Sequence, residues 1–133
     1  MRERVAALLR DPSTERLAAA VDALGDADAE SAAAMALRAE FLRRRGQHDE
    51  AAPLFAAAIA RGPDIVPAYH CAALNAVARG DRDAARAFWL ALLEGNPDDV
   101  LARYQIALTY HEAGALAWVD AVAAATRGAL RRR

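Results

Sequence analysis

Apolar residues recur at three- and four-residue spacings along nearly the whole chain, broken at intervals by short polar stops. That spacing keeps them on one side of a helix with 3.6 residues per turn. In "STERLAAAVDALG", Leu17, Val21 and Leu24 share a face, Ser13 stands at the cap position and Gly25 follows the last turn. Applied along the chain, the pattern predicts helices over 2–10 and about 13–25. It then predicts first helices at 30–45, 66–79 and 98–113, and second helices at 49–61, 82–94 and 116–131. Alternating runs of β-branched residues, which a half-buried strand needs, are missing. The chain reads as all-α.

The stops are themselves periodic. "GDRDAARAFWLALLEGNPDD" begins at Gly80, and "GQHDEAAPLFAAAIARGPDI" begins 34 residues earlier at Gly46. Asp49 and Asp83, Ala51 and Ala85, Phe55 and Trp89, and Pro63 and Pro97 fall in register, and Gly114 continues the glycine series. A glycine after each first helix suits the left-handed position that closes it. Asp49, Asp81 and Asp83 favour the start of the next helix through capping and the macrodipole. Pro63 and Pro97 then end the second helix, because proline inside a helix loses a hydrogen bond and clashes with the preceding turn. The units run over about 32–65, 66–99 and 100–133. A degenerate pair at 1–27 precedes them, since Leu17 and Val21 lie 34 residues before Ala51 and Phe55. One domain, 1–133, is expected. Each pair has an apolar face it cannot bury alone, so stacking is obligatory.

The second-helix pattern of Ala51, Phe55, Ala58 and Pro63, repeated as Ala85, Trp89, Leu92 and Pro97, resembles the tetratricopeptide repeat. Residues 32–99 carry the likeness best. Tyr69, Ala72, Ala73 and Ala76, or Met35, Ala39 and Leu42, fill the first-helix half more loosely. In the last unit Ile106, Ala107, Tyr110 and Gly114 fit, but Arg103 replaces a large apolar residue and Ala123 stands where Phe55 and Trp89 stood. The resemblance implies a right-handed superhelix of about four antiparallel helix pairs. Small alanines (Ala39, Ala51, Ala58, Ala73, Ala85 and Ala107) would allow close approach, with Phe55, Tyr69 and Trp89 filling the gaps between pairs. It also implies a non-catalytic scaffold whose first helices line a concave groove for a peptide or protein segment. By register the groove would present Ala33, Leu37, Glu40 and Arg44, then His70, Cys71, Leu74 and Val77, then Leu101, Tyr104, Gln105, Leu108 and His111. Members that clamp a terminal carboxylate use basic and amide residues there. This chain has Ala36, Glu40, Cys71, Leu101 and Gln105, which argues against that subtype.

Charge and chemistry narrow the reading further. Seventeen basic residues, all arginine, face 18 acidic ones, so neither nucleic acid nor an anionic membrane finds a basic footprint. The triplets at 43–45 and 131–133 are expected as solvated helix ends. Cys71 is the single cysteine, which excludes an internal disulfide. "MRERVAALLRDP" is too short and too charged in its apolar part for a signal peptide, and no apolar run reaches a membrane span. A cytoplasmic protein is expected. His70 and Cys71 point about 100° apart as helix neighbours, so a shared metal or a nucleophilic pair is not expected, and His48 reads as a solvated turn residue. Neither cofactor nor metal is expected. Two alternatives stay open. One is self-association through Val5, Leu8 and Leu9 or through Trp118 and Val122; the other is a small molecule or metal in a His70/His111 pocket.

Overall fold

The 34-residue offset reappears in the helix boundaries. The computed structural model describes residues 2–24, 31–110, 122–124 and 126–128. Among these are seven helices and no strand: α1 (Arg2–Arg10), α2 (Thr14–Asp22), α3 (Ala32–Arg44), α4 (His48–Arg61), α5 (Val66–Ala78), α6 (Arg82–Gly95) and α7 (Val100–Thr109). Helices α3, α5 and α7 begin at 32, 66 and 100, and α4 and α6 at 48 and 82. Residues 122–124 and 126–128 are helical, within the expected 116–131. Gly114, His111 and Trp118 lie outside the described residues.

Local chemistry explains the boundaries. Ser13, Ser31, Asp81 and Asp99 each stand at an N-cap and accept a backbone N–H three residues on, at 3.2, 3.1, 3.0 and 2.9 Å. Helix α4 differs, for Gln47 makes no side-chain cap and Asp49 instead pairs with Arg79 across to α5 at 2.9 Å. Both first-to-second turns close identically. Gly46 and Gly80 have φ of 80° and 78°, and the residue after each donates back to Leu42 or Ala76 at 2.9 Å. This is a Schellman closure, satisfying carbonyls the helix leaves open. Helices α4 and α6 end at Arg61 and Gly95, two residues before Pro63 and Pro97.

Successive helices from α3 to α7 pack on one another, and short turns between neighbours make them antiparallel. Ala39, Ala51, Ala58, Ala73 and Ala85 are buried, bringing backbones close, while Phe55 and Trp89 are fully buried. Ala107, on the last described helix, is only half-buried. Two apolar clusters result, one around Leu17, Leu37 and Phe55, the other around Trp89, Leu92, Leu93 and Ile106. Ile59 and Phe88 pack against both.

The first helix departs from expectation. Rather than forming mainly a hairpin with α2, α1 leans on α3 and α5. Val5 and Leu9, four residues apart on one face, are 4% and 3% exposed there, and Leu8 is half-buried. Of the three residues named for end-to-end stacking, Val5 and Leu9 are thus buried against the chain's own helices, and Leu8 keeps part of its surface open.

Candidate functional site: a cleft on the first-helix face

Helix α1 lies over the face where the groove was expected, and this divides the expected residues into two sets. Leu37 and Glu40 are 4% and 1% exposed: Leu37 belongs to the core cluster that Val5 and Leu9 join, and Glu40 borders a cleft beside α1. Both carboxylate oxygens of Glu40 are used: Oε1 accepts from Arg43 Nε at 2.5 Å, and Oε2 accepts from Arg43 Nη2 and Arg44 Nε, both at 2.8 Å. Such i,i+3 and i,i+4 pairs sit on one helix face. Arg43 and Arg44 are thus partly buried partners of a carboxylate, which corrects their reading as solvated helix-end charges; only Arg45 is exposed, with its guanidinium 5.5 Å from the Phe41 ring.

Arg44 also reaches α1. Its Nη2 donates to the Leu9 carbonyl at 3.2 Å, one of the terminal carbonyls that a helix cannot satisfy internally. A cation there also meets the negative end of the α1 dipole. The Cys71 thiol, buried, points to the same carbonyl at 4.0 Å. Burial pushes that thiol up to about 12, and the nearby Glu40 carboxylate pushes the same way. A thiol so held stays protonated at neutral pH and is a poor nucleophile.

The remaining positions run along α5 and α7. His70 is held on both ring nitrogens. The Trp89 indole N–H donates to Nδ1 at 3.2 Å, which leaves the Nε2–H of a neutral ring to donate to Asp99 Oδ2 at 3.2 Å. Asp99 in turn caps α7 through its other oxygen. His48 is corrected too. Far from being solvated, its Nδ1–H donates to Asn75 Oδ1 and Asn75 Nδ2 donates to its carbonyl, both at 2.9 Å. Asn75 is 1% exposed and spends its amide on this link between α4 and α5. Nothing in the spacing of His48 and Asn75, 27 residues apart, signals the pairing.

Beyond His70 the face is apolar and open. Leu74 and Val77 on α5 are 39% and 42% exposed; Leu101, Tyr104 and Leu108 on α7 are 51%, 59% and 50% exposed. Gln105 beside them is half-buried, and Val100 at the start of α7 is exposed as well. A cleft of about 630 Å³ lies at the head of this strip. Leu9 and the Arg10–Pro12 turn, Glu40, Arg43 and Arg44 of α3, Val66, Pro67, His70, Cys71 and Leu74 of α5, and Asp99 and Leu101 line it. No group of three or more His, Cys, Asp or Glu side chains is placed to hold a metal among the described residues. No described helix is long and apolar enough to cross a membrane. None of the family models, curated proteins or solved structures compared with the chain matches it.

Proposed function

We propose that the chain is a non-catalytic interaction module: a tetratricopeptide-like, right-handed array of helix pairs that binds a protein segment on its first-helix face. One observation carries this reading. Five large apolar side chains on first helices, Leu74 and Val77 of α5 and Leu101, Tyr104 and Leu108 of α7, stand exposed, and Leu74 and Leu101 border the cleft. Large apolar side chains left exposed beside a cleft are costly in water and favour a contact surface. An aromatic residue among aliphatic ones is the composition of a binding hot spot. The polar side chains nearby support a binding role over a chemical one. His70 is fixed between Trp89 and Asp99, and Cys71 is held as a thiol beneath α1.

The test is affinity capture from native lysate, comparing wild type with Tyr104→Glu/Leu108→Arg. Both substitutions fall on exposed positions, so helicity and thermal stability should be unchanged. A protein retained by wild type and lost with the variant places the binding site on this face. Retention of the same protein by both forms removes the reading. A shift of wild type from monomer to dimer in light scattering, abolished in the variant, replaces the foreign partner by a second copy.

A further inference from the structure

We propose that the partner segment is an amphipathic α-helix, laid along α5 and α7 beside α1. The inference rests on the interaction-module reading and names the kind of segment that the face accepts.

The first argument is a precedent within the molecule. Helix α1 is a nine-residue helix seated on α3 and α5 through Val5 and Leu9. The 34-residue offset maps that seat onto α5 and α7: Leu37 corresponds to Cys71, Glu40 to Leu74, and Leu74 to Leu108. In the second seat Cys71 is already buried beneath α1, while Leu74 and Leu108 are still exposed. Where the first seat has the buried Glu40, the second has Leu74, so an apolar side chain replaces a charged one at that position.

The second argument concerns hydrogen bonds. An extended peptide brings unpaired backbone N–H and C=O groups, and the surface must supply partners for those it buries. Around the cleft most polar side chains are already engaged, Glu40 with Arg43 and Arg44, His70 with Trp89 and Asp99, and Asp11 with Arg16, and one buried donor, Arg44 Nη1, is left without a partner. A helix arrives with its backbone satisfied and asks only for apolar contact. The dimensions agree. Leu101 to Leu108 spans seven residues of α7, about 10 Å of rise, which matches two turns of a docked helix. Helices packed side by side lie about 8–10 Å apart, the spacing that a helix next to α1 would take.

The probe is a fluorescein-labelled peptide of residues 1–12, stapled between positions 3 and 7. These are exposed in α1, so Val5 and Leu9 stay free; an unstapled peptide this short is marginally helical. Fluorescence anisotropy should show saturable binding to the full chain. Binding should weaken at least tenfold with Leu74→Arg/Leu108→Arg, and at least tenfold when the peptide is unstapled and carries Ala6→Pro. Leu108→Arg alone should weaken binding as well, because α1's own seat lies on α3 and α5 and leaves Leu108 out. Equal binding of the Ala6→Pro peptide overturns the helix assignment. So does a lack of saturable binding up to about 1 mM, or indifference to Leu74→Arg/Leu108→Arg. Indifference to Leu108→Arg alone overturns the second seat, since a peptide that had replaced α1 would sit on α3 and α5 and not on α7. Face-dependent capture from lysate alongside any of these failures leaves the interaction module standing and removes the helical partner alone.

Discussion

Tyr69 and Arg103, one period apart, make the same hydrogen bond with different chemistry: each donates to the carbonyl of the proline six residues before it. Tyr69 Oη reaches Pro63 at 2.8 Å, and Arg103 Nη2 reaches Pro97. The bond ties the loop after a second helix to the first helix that follows, so the position conserves an interaction where the side chain looks like a break in the repeat. Arg103 carries a cost that Tyr69 does not, because its Nε is buried without a partner. Tyr69→Phe should cost about 1 kcal/mol. Arg103→Tyr should leave stability unchanged or raise it, whereas Arg103→Ala should lower it; urea midpoints compare all three. A loss with Arg103→Tyr as large as with Arg103→Ala sinks the equivalence.

Trp89 is 1% exposed at the centre of the second cluster. Trp89→Ala should destabilise by about 3–5 kcal/mol through lost burial and the cavity left behind. Trp89→Phe keeps most of the packing and loses the indole bond to His70, so about 1–3 kcal/mol is expected. Thermal denaturation that ranks the two variants the other way contradicts this packing.

Two glycines give an opposed pair. Gly80 has φ of 78°, and an added Cβ would meet nothing within 4 Å, so Gly80→Ala costs only the left-handed backbone, about 1–2 kcal/mol. Gly95 ends α6 with ordinary backbone and equally open space, and Gly95→Ala should stabilise by about 0.5–1 kcal/mol. Opposite signs in chemical denaturation are the expected result; equal signs would place one of these turns wrongly.

Cys71 supplies a pH dependence with a definite sign. Its thiol is raised from 9.0 to about 12 in the native chain, so the folded state holds a proton that the unfolded state releases. That contribution is intact below pH 9 and is lost as pH rises from 9 towards 12. Relative to Cys71→Ala, the wild type should keep a constant stability difference at pH 7–9 and fall steadily above it. A difference that stays flat to pH 10.5 would show the thiol to be exposed to solvent.

Glu40 anchors two arginines from a position 1% exposed, and one of them holds the end of α1. Glu40→Ala leaves those cations partly buried with no counter-charge and should cost about 3 kcal/mol, the lower end for breaking a buried pair. Because Arg44 then loses its orientation, α1 should loosen, and Cys71 should react faster with a thiol reagent at neutral pH. Unchanged labelling would mean that Val5 and Leu9 hold α1 without help.

The repeat was legible because its signals are local. Glycine at a positive φ, a capping aspartate or serine, and a proline that cannot continue a helix each act within a few residues. Period and helix positions followed from them. The exposed strip on α5 and α7 was legible as well, since register alone puts Leu74, Val77, Leu101, Tyr104 and Leu108 on one face. What escaped was long-range. The apolar spacing of Val5 and Leu9 says that α1 buries a face, not which helices receive it. Leu37 is buried in the cluster that Val5 and Leu9 join, and Glu40 is buried with Arg43 and Arg44 as its partners. The Glu40, Arg43 and Arg44 spacing did carry a signal, since it puts one carboxylate beside two guanidiniums, and a glutamate on an inward face asks for such partners. Asn75 and His48 offered none, for two residues on separate helices meet only once the turns between them are fixed.

Ile59 and Phe88 touch both apolar clusters, and so they set how the molecule comes apart. In a linear array each unit is stabilised by its neighbour, and melting is a single event only while that coupling outweighs the difference between units. These two half-buried side chains are the hinge of that balance. Trimmed to alanine together, they would let the Trp89 half and the Phe55 half melt on their own schedules, turning one transition into two.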